Sequence, residues 1–314
     1  MWRYIINRLT WVVPVLLAIS ILVFSMLHLV PGDPVRAMFV ESGGATAEQL
    51  AQIRHLLGLD KPLHIQYLDY ISKALRGNLG QSIITQQSVS ELIRANFPST
   101  FQLALAGMSL AVLLGTFLGI VAALHHDSWF DNLTMLIATL GVSMPSFWLG
   151  LLLIYVFGIK LRWVPITSGT DLKRLALPAI ALGFQAAAII ARMVRSSLLE
   201  VLKEDYIRTA HAKGLSNSVV ILRHALRNAL IPVVTVVGLQ FGGLLGGAVI
   251  VESVFARRGI GQLLVGALQA RDFPLAQGCV LFVAVTYVLV NLAVDLIYGF
   301  LDPRIQYHTD STAL

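Results

Sequence analysis

The chain has 314 residues, is 56% hydrophobic and only 13% charged, and carries a formal net charge of +6 with a mean hydropathy of +0.76. Soluble domains average about 25% charged residues, so this composition excludes a soluble enzyme or binding module and points to a chain mostly surrounded by lipid. The one cysteine, Cys279, excludes an intrachain disulfide and any cysteine-built metal cluster.

Six apolar segments have spanning length: residues 9–30, 99–124, 133–159, 175–192, 229–251 and 275–301. A bilayer core needs about 20 apolar residues in a helix, so the expected fold is an all-α polytopic membrane protein with six transmembrane helices. Residues 1–30 form the first of them, an N-terminal anchor. Its apolar run exceeds the roughly 7–15 residues of a signal-peptide core, and no A-x-A-like site follows, so the segment is expected to be retained. The fourth segment contains Pro178 and the fifth is rich in glycine, which makes them the least regular of the set.

Residues 31–97 form the one substantial stretch before the second span, expected as an outer loop of short amphipathic helices. TAEQLAQIRHLLGL opens on a capping box, Thr46 to Gln49, and stops at Gly58. Leu50, Ile53, Leu56 and Leu57 form its apolar face. DKPLHIQYLDYISKALRG repeats the plan, with Asp60 as cap, Pro62 in the first turn, Gly77 as stop, and Ile65, Leu68, Ile71 and Leu75 on one face. SVSE at 88–91 is a third capping box. These faces need a partner surface, either the chain's own membrane domain and lipid or an external protein.

Motifs that would give the chain its own chemistry are absent. There is no G-x-x-x-x-G-K-[ST], no H-E-x-x-H and no G-x-S-x-G. His125, His126 and Asp127 could ligate a metal on paper, but they sit between two spans and read as a solvated turn. Inside the spans, Asn291 and Asp295 lie one turn apart in the last helix. Asp295 is expected near the cytoplasmic end, within reach of an arginine. Gly115 and Gly119, and the pairs Gly242–Gly246 and Gly243–Gly247, have the four-residue spacing that lets helix backbones approach closely.

Six spans place both termini on one side. That side carries Arg3, Arg8 and Arg304, with Arg192, Arg195, Lys203, Arg208, Lys213, Arg223 and Arg227 in the loop 192–228. Leaving out the long loop 31–97, which the rule does not count, the other side carries Lys160, Arg162, Lys173, Arg174, Arg257, Arg258 and Arg271. The positive-inside rule therefore favours cytoplasmic termini by a small margin, and these loops account for the net charge without nucleic acid.

Residues 199–227 are too polar to span. LLEVLKEDYIRTAHAKG reads as one helix, Gly214 interrupts it, and Ser216–Asn217 can cap a second helix, SVVILRHALRNAL, with Pro232 marking entry into the next span. The result is a compact basic knob, on a chain with no motor of its own.

YIRTAHAKGLSNSVVILRHALRNALIP resembles the cytoplasmic coupling loop of ABC importer permeases. Arg208-Thr209-Ala210 stands where the family has E-A-A, and Gly214 and Ile231-Pro232 keep its glycine and hydrophobic-proline end. The replaced glutamate and first alanine are typical of the dipeptide/oligopeptide/nickel branch. HLVPGDPV, SMPSFWLGLLLIYVF, ARMVRSSLLEVLKEDYIRTA, ALQARDFPLAQG and NLAVDLIYGFLDPRI point to the same branch, so the resemblance covers essentially the whole chain.

The resemblance implies a type I ABC importer permease fold in a bacterial or archaeal cytoplasmic (inner) membrane. Its parts would be the anchor 1–30, an extracytoplasmic loop 31–97, a five-helix core 98–303 containing the coupling loop 199–228, and a cytoplasmic tail 304–314. The implied partners are a second homologous permease subunit, two ATPase subunits and an external substrate-binding protein that delivers small peptides, glutathione or chelated nickel. ATP and Mg²⁺ belong to the ATPases, and this chain binds no cofactor. Asp205, Tyr206, Ile207, Arg208, Thr209, Ala210, Ala212, Lys213 and Gly214 are the expected coupling residues. Gln240, Phe241, Gly243, Gly247 and Glu252 are candidate pathway positions, with ordinary solvation the competing reading for Glu252. An ion-coupled secondary carrier is the alternative, and a membrane scaffold a third, but the inverted repeats and buried ion sites of carriers are not evident.

Overall fold

A computed structural model describes residues 2–29, 46, 48–50, 54, 60–164 and 172–301. Their main helices are α1 (Trp2–Leu29), α2 (Leu63–Leu75), α3 (Val89–Leu124), α4 (Trp129–Ser143), α5 (Ser146–Lys160), α6 (Leu172–Val201), α7 (Asp205–Ala212), α8 (Asn217–Val254), α9 (Ile260–Gln269) and α10 (Phe273–Leu301), and residues 48–50 and 54 are also helical. α5 is π-helical over Ile154–Lys160 and α8 over Val220–Ala225. The only pairing of β type among the described residues is an isolated bridge between Gln81 and Ser88.

Five helices are long and apolar enough to cross a membrane, and the pair α4–α5 makes six if it counts as one span. That third span differs from the continuous segment expected over 133–159, because α4 and α5 meet at 107°. Pro145 accounts for the break. It forces Met144 out of the helical region, to φ −88° and ψ 121°, and offers no N–H to continue the ladder.

The chain divides into two compact units, Thr10–Thr100 with Arg258–Val288, and Met1–Leu9 with Phe101–Arg257 and Leu289–Leu314. In the first, Val89, Ile93, Ile260, Ala267, Leu275, Ala276 and Cys279 form the core, so Cys279 is a buried packing residue. A Cβ on Gly278 would overlap Val89, which explains a glycine there. Asp272, almost fully buried, receives the Ser82 hydroxyl at 2.5 Å, the Ile83 N–H at 3.2 Å and the Leu275 N–H at 3.4 Å, and so caps α10.

The outer helices agree with the sequence in part. The Thr46–Gln49 capping box forms in both directions, at 2.9 and 3.3 Å. Ile53, Leu56, Leu57 and Gly58 lie outside the described residues, as does the tail 304–314. α2 starts later than expected, with Pro62 rather than Asp60 at the N-cap and no side-chain cap. It ends as expected in a Schellman turn, with Gly77 at φ 76°. Its aromatic face does the packing: Tyr67 meets Phe24 of α1 edge-on, Tyr70 meets it at a tilt, and Tyr67 bonds Ser20 at 2.8 Å. Ile65, Leu68 and Leu75 stay exposed. Burial pushes the Tyr70 hydroxyl up to about 12. α3 starts at Val89, directly after Ser88 of the third capping box, although no side-chain bond of that box is seen among the described residues. Ser90 donates to the Gly77 carbonyl and receives the Leu79 N–H, tying the preceding loop to α3.

In the second unit α6 is the central helix. Two-thirds of its most apolar window (67%) is buried, against 33% at most for the other four spans. Its irregular apolar pattern follows, because a helix enclosed by protein is selected for small residues rather than for hydropathy. The close approach it makes is with α3. A Cβ on Gly115 would sit 2.7 Å from the Ala187 carbonyl, one on Gly119 would sit 2.6 Å from the Ala191 carbonyl, and Gly107 faces Gly183 directly. The GTFLG spacing is thus a packing seam inside the chain. Lipid-type exposure falls on the other surfaces, at Leu113, Phe117, Leu136 and Leu151.

Two charged pairs join helices within this unit. Arg8 reaches Asp295 at 3.2 Å, the arginine partner expected for that carboxylate. Arg195 grips both oxygens of Asp131, at 2.5 and 2.6 Å, and Asp131 also receives the Asp127 N–H. Arg192 and Arg195 therefore lie in the last turns of α6, not in a loop.

Candidate functional site

The knob between α6 and α8 is built by three local decisions. α6 ends at Val201, and a tight turn with N–H bonds from Lys203 to the Glu200 carbonyl and from Glu204 to the Val201 carbonyl leads into α7. The helix expected to run through 199–213 is therefore broken, and only the eight residues of α7 belong to the knob. Asp205 in its first turn favours the helix dipole. α7 then stops at a Schellman motif, in which the Gly214 N–H bonds the His211 carbonyl at 2.9 Å and the Leu215 N–H bonds the Ala210 carbonyl at 3.4 Å. Gly214 sits at φ 78°, and a Cβ there would meet nothing within 4 Å. Glycine is needed for backbone conformation, not for space.

Ser216 occupies the N-cap of α8, but its side chain makes no cap bond. The helix then runs unbroken by any loop from Asn217 to Val254, with Pro232 inside it. The π-helical turns over Val220–Ala225 lie just before that proline.

The expected coupling residues divide by face. Ile207 and Ala210, three apart, are buried among Ala123, Leu198, Val220, Ala225 and Ala229. They seat α7 on the ends of the long helices. Asp205, Arg208, Thr209, Ala212 and Lys213 are exposed, and Tyr206 is 39% exposed. The Tyr206 hydroxyl receives the Asn228 side-chain amide at 2.8 Å, fastening α7 to α8. Arg208 lies 3.5 Å from Asp205, with both side chains largely in solvent, so this pair adds little rigidity. The knob is a small exposed helix, anchored by two apolar side chains and one hydrogen bond.

The candidate pathway positions do not form one group. At about 100° per residue, Gln240, Gly243 and Gly247 share one side of α8, while Phe241 and Glu252 lie on another. Gly243 is exposed and a Cβ there meets nothing, whereas one on Gly247 would meet Leu182 at 3.3 Å. Gln240 is half-buried. Phe241 packs on the core and sets its ring edge against Phe101, 6.2 Å between centroids. The solvation reading of Glu252 is corrected, because the residue is fully buried. Arg257 folds back towards it, with its N–H on the Glu252 carbonyl at 2.9 Å and its guanidinium on Gln102 at 3.1 Å. Burial pulls the Arg257 guanidinium below its ordinary value, and the Glu252 charge partly opposes this. The exposed stripe of α8 instead runs through Leu239, Gly243, Gly246 and Ile250. Its four-, three- and four-residue spacing was legible in the sequence.

His126, Asp127 and Asp131 bring ligand-type atoms within 4.8 Å of one another. Arg195 already occupies both Asp131 oxygens, and its positive charge opposes a cation there. His125, His126 and Asp127 are exposed turn residues, as expected, and the Asp127 N–H ties this turn to Asp131 of α4.

Comparison with known proteins gives the same picture. Residues 115–307 match the family described as binding-protein-dependent transport system inner membrane component, and residues 1–104 match its N-terminal family. The chain is 44% identical over 307 residues to the glutathione transport system permease protein GsiC of Salmonella typhimurium, covering 98% of this chain and 100% of that protein. It is 43% identical over the same length to its counterpart in Escherichia coli K12. Among solved structures, an inward-facing form of the MetNI methionine ABC transporter superposes with a TM-score of 0.57 at 17% identity, over 67% of this chain and 96% of that one; this likeness speaks for the fold alone. With its apolar helices, its polar knob, the family match and these full-length relatives, the chain belongs to the binding-protein-dependent transport inner-membrane component family and is a multi-pass permease subunit of an ABC importer, with ATP hydrolysis left to partner subunits.

Proposed function

We propose that this subunit forms half of the pathway of an importer for small peptides, with glutathione as the leading substrate. The observation that carries this reading is the 44% identity to glutathione permeases along the whole length of both proteins. In this reading a second, homologous but different permease subunit completes the pathway. An external binding protein delivers the peptide, and two ATPases bind ATP and Mg²⁺. Both termini and the α7 knob lie in the cytoplasm, and the outer helices lie on the opposite side.

The exposed face of α7, formed by Tyr206, Arg208, Thr209, Ala212 and Lys213, inserts into a cleft of one ATPase. Ile207 and Ala210 beneath it transmit the ATPase's motion to the ends of α6 and α8. The exposed α8 stripe from Leu239 to Ile250 faces the second permease subunit across the pathway. Uptake into liposomes containing the whole importer tests the substrate. Labelled glutathione accumulates only with ATP inside and the binding protein outside, and competes better than a neutral dipeptide. Uptake of a nickel chelate but not of glutathione contradicts the assignment.

A further inference from the structure

A groove of about 640 Å³ opens beside the knob, on the first turns of α8. Arg223, His224 and Arg227 line one end, with the Tyr206–Asn228 pair beside them. One to two turns further along the same helix, its wall becomes apolar through Leu230, Ile231 and Val234. Ile231 and Val234 are 42% and 43% exposed. No acidic residue occurs between Asp205 and Glu252. Among the described residues neither Arg223 nor Arg227 has a carboxylate within ion-pair distance. The groove thus offers uncompensated positive charge at the polar end of a spanning helix and hydrocarbon where that helix enters the membrane.

We propose that this groove is a binding site for one anionic phospholipid. The phosphate would sit between Arg223 and Arg227, and an acyl chain would lie against Leu230, Ile231 and Val234. A free phosphate matches only the first half of the surface, and a zwitterionic lipid lacks the net charge that the unpaired arginines call for. Basic side chains at a cytoplasmic membrane surface attract anionic headgroups, so the inference rests on the orientation proposed above. A headgroup seated here lies beside Tyr206, on the helix proposed to engage the ATPase.

The test uses the whole importer, purified with its partner subunits and examined by native mass spectrometry during titration with dioleoyl phosphatidylglycerol or dioleoyl phosphatidylcholine. The expected result is preferential retention of phosphatidylglycerol, weakened about fivefold in R223Q or R227Q and about thirtyfold in the double variant. K203Q, which removes an exposed charge from the turn before α7 and outside the groove, leaves retention unchanged. Millimolar inorganic phosphate does not displace the lipid. Equal retention of the two lipids by the unsubstituted importer overturns the proposal, as does displacement by inorganic phosphate, which would mark a site for soluble anions. Binding by the lone chain that vanishes in the assembled importer also overturns it, by assigning the groove to a protein partner. Labelling of an S216C variant from each side of sealed vesicles reads orientation separately, so a wrong side assignment is distinguishable from a missing lipid site.

Discussion

The Asn228 side-chain amide donates to the Tyr206 hydroxyl at 2.8 Å, tying the exposed aromatic of the eight-residue α7 to the start of the long α8. A single hydrogen bond of this kind contributes about 0.5–1.5 kcal/mol. Tyr206→Phe and Asn228→Ala each delete it, and each is expected to lower ATP-driven uptake two- to tenfold, by similar factors. Because both remove the same bond, the double variant is expected to be no worse than the weaker single one. Fully multiplicative losses in uptake assays would show that the two residues act independently.

Gly214 is required by its backbone at φ 78°, in open space. Gly214→Val places a β-branched residue in the left-handed region, at about 1–2 kcal/mol or more, and should abolish uptake while the chain still inserts. Gly214→Asn, which tolerates that region, should retain most activity. Equal uptake by the two variants, at equal membrane abundance, would contradict the turn's role.

Asp131 is held by Nε and Nη2 of Arg195 and is almost completely buried. Arg195→Ala leaves an uncompensated buried carboxylate, at about 3–5 kcal/mol, and should lower the thermal stability of the purified subunit severely. Adding Asp131→Ala should restore part of the loss. A double variant less stable than Arg195→Ala would argue that Asp131 serves something other than this pair.

Two tyrosines on α2 separate a bonded hydroxyl from an idle one. Tyr67 bonds Ser20, whereas the buried Tyr70 hydroxyl has no hydrogen-bond partner among the described residues. Tyr67→Phe should destabilise by about 1 kcal/mol, and Tyr70→Phe should be neutral or slightly stabilising. Thermal melts in one detergent compare them directly.

These contrasts show what the sequence could carry. The spans, the Thr46–Gln49 box, the Gly77 stop and the Gly214 turn were legible because each depends on neighbours in the chain. The partner of Asp295 was legible as a type of residue, and only packing chose Arg8. The nature of α6 was hidden, because its small residues answer to α3 rather than to lipid. Arg195 read as a loop residue because a charge ending an apolar run has that look, and its partner lies 64 positions away. Glu252 read as solvated for a similar reason, since Arg257 and Gln102 gather near it only after folding. The bend between α4 and α5 was visible in principle at Pro145, but its 107° was not. The residues that engage an ATPase or line the pathway depend on surfaces of other chains.

The central claim is that the α7 knob couples this permease to a separate motor. Its most direct test is co-purification. The chain is expressed with its neighbouring genes, solubilised gently and captured, with and without residues 204–216. The account predicts that a P-loop ATPase comes down with the intact chain and is lost from the deletion, while the second permease subunit remains in both. An ATPase retained equally by the deleted chain would contradict it.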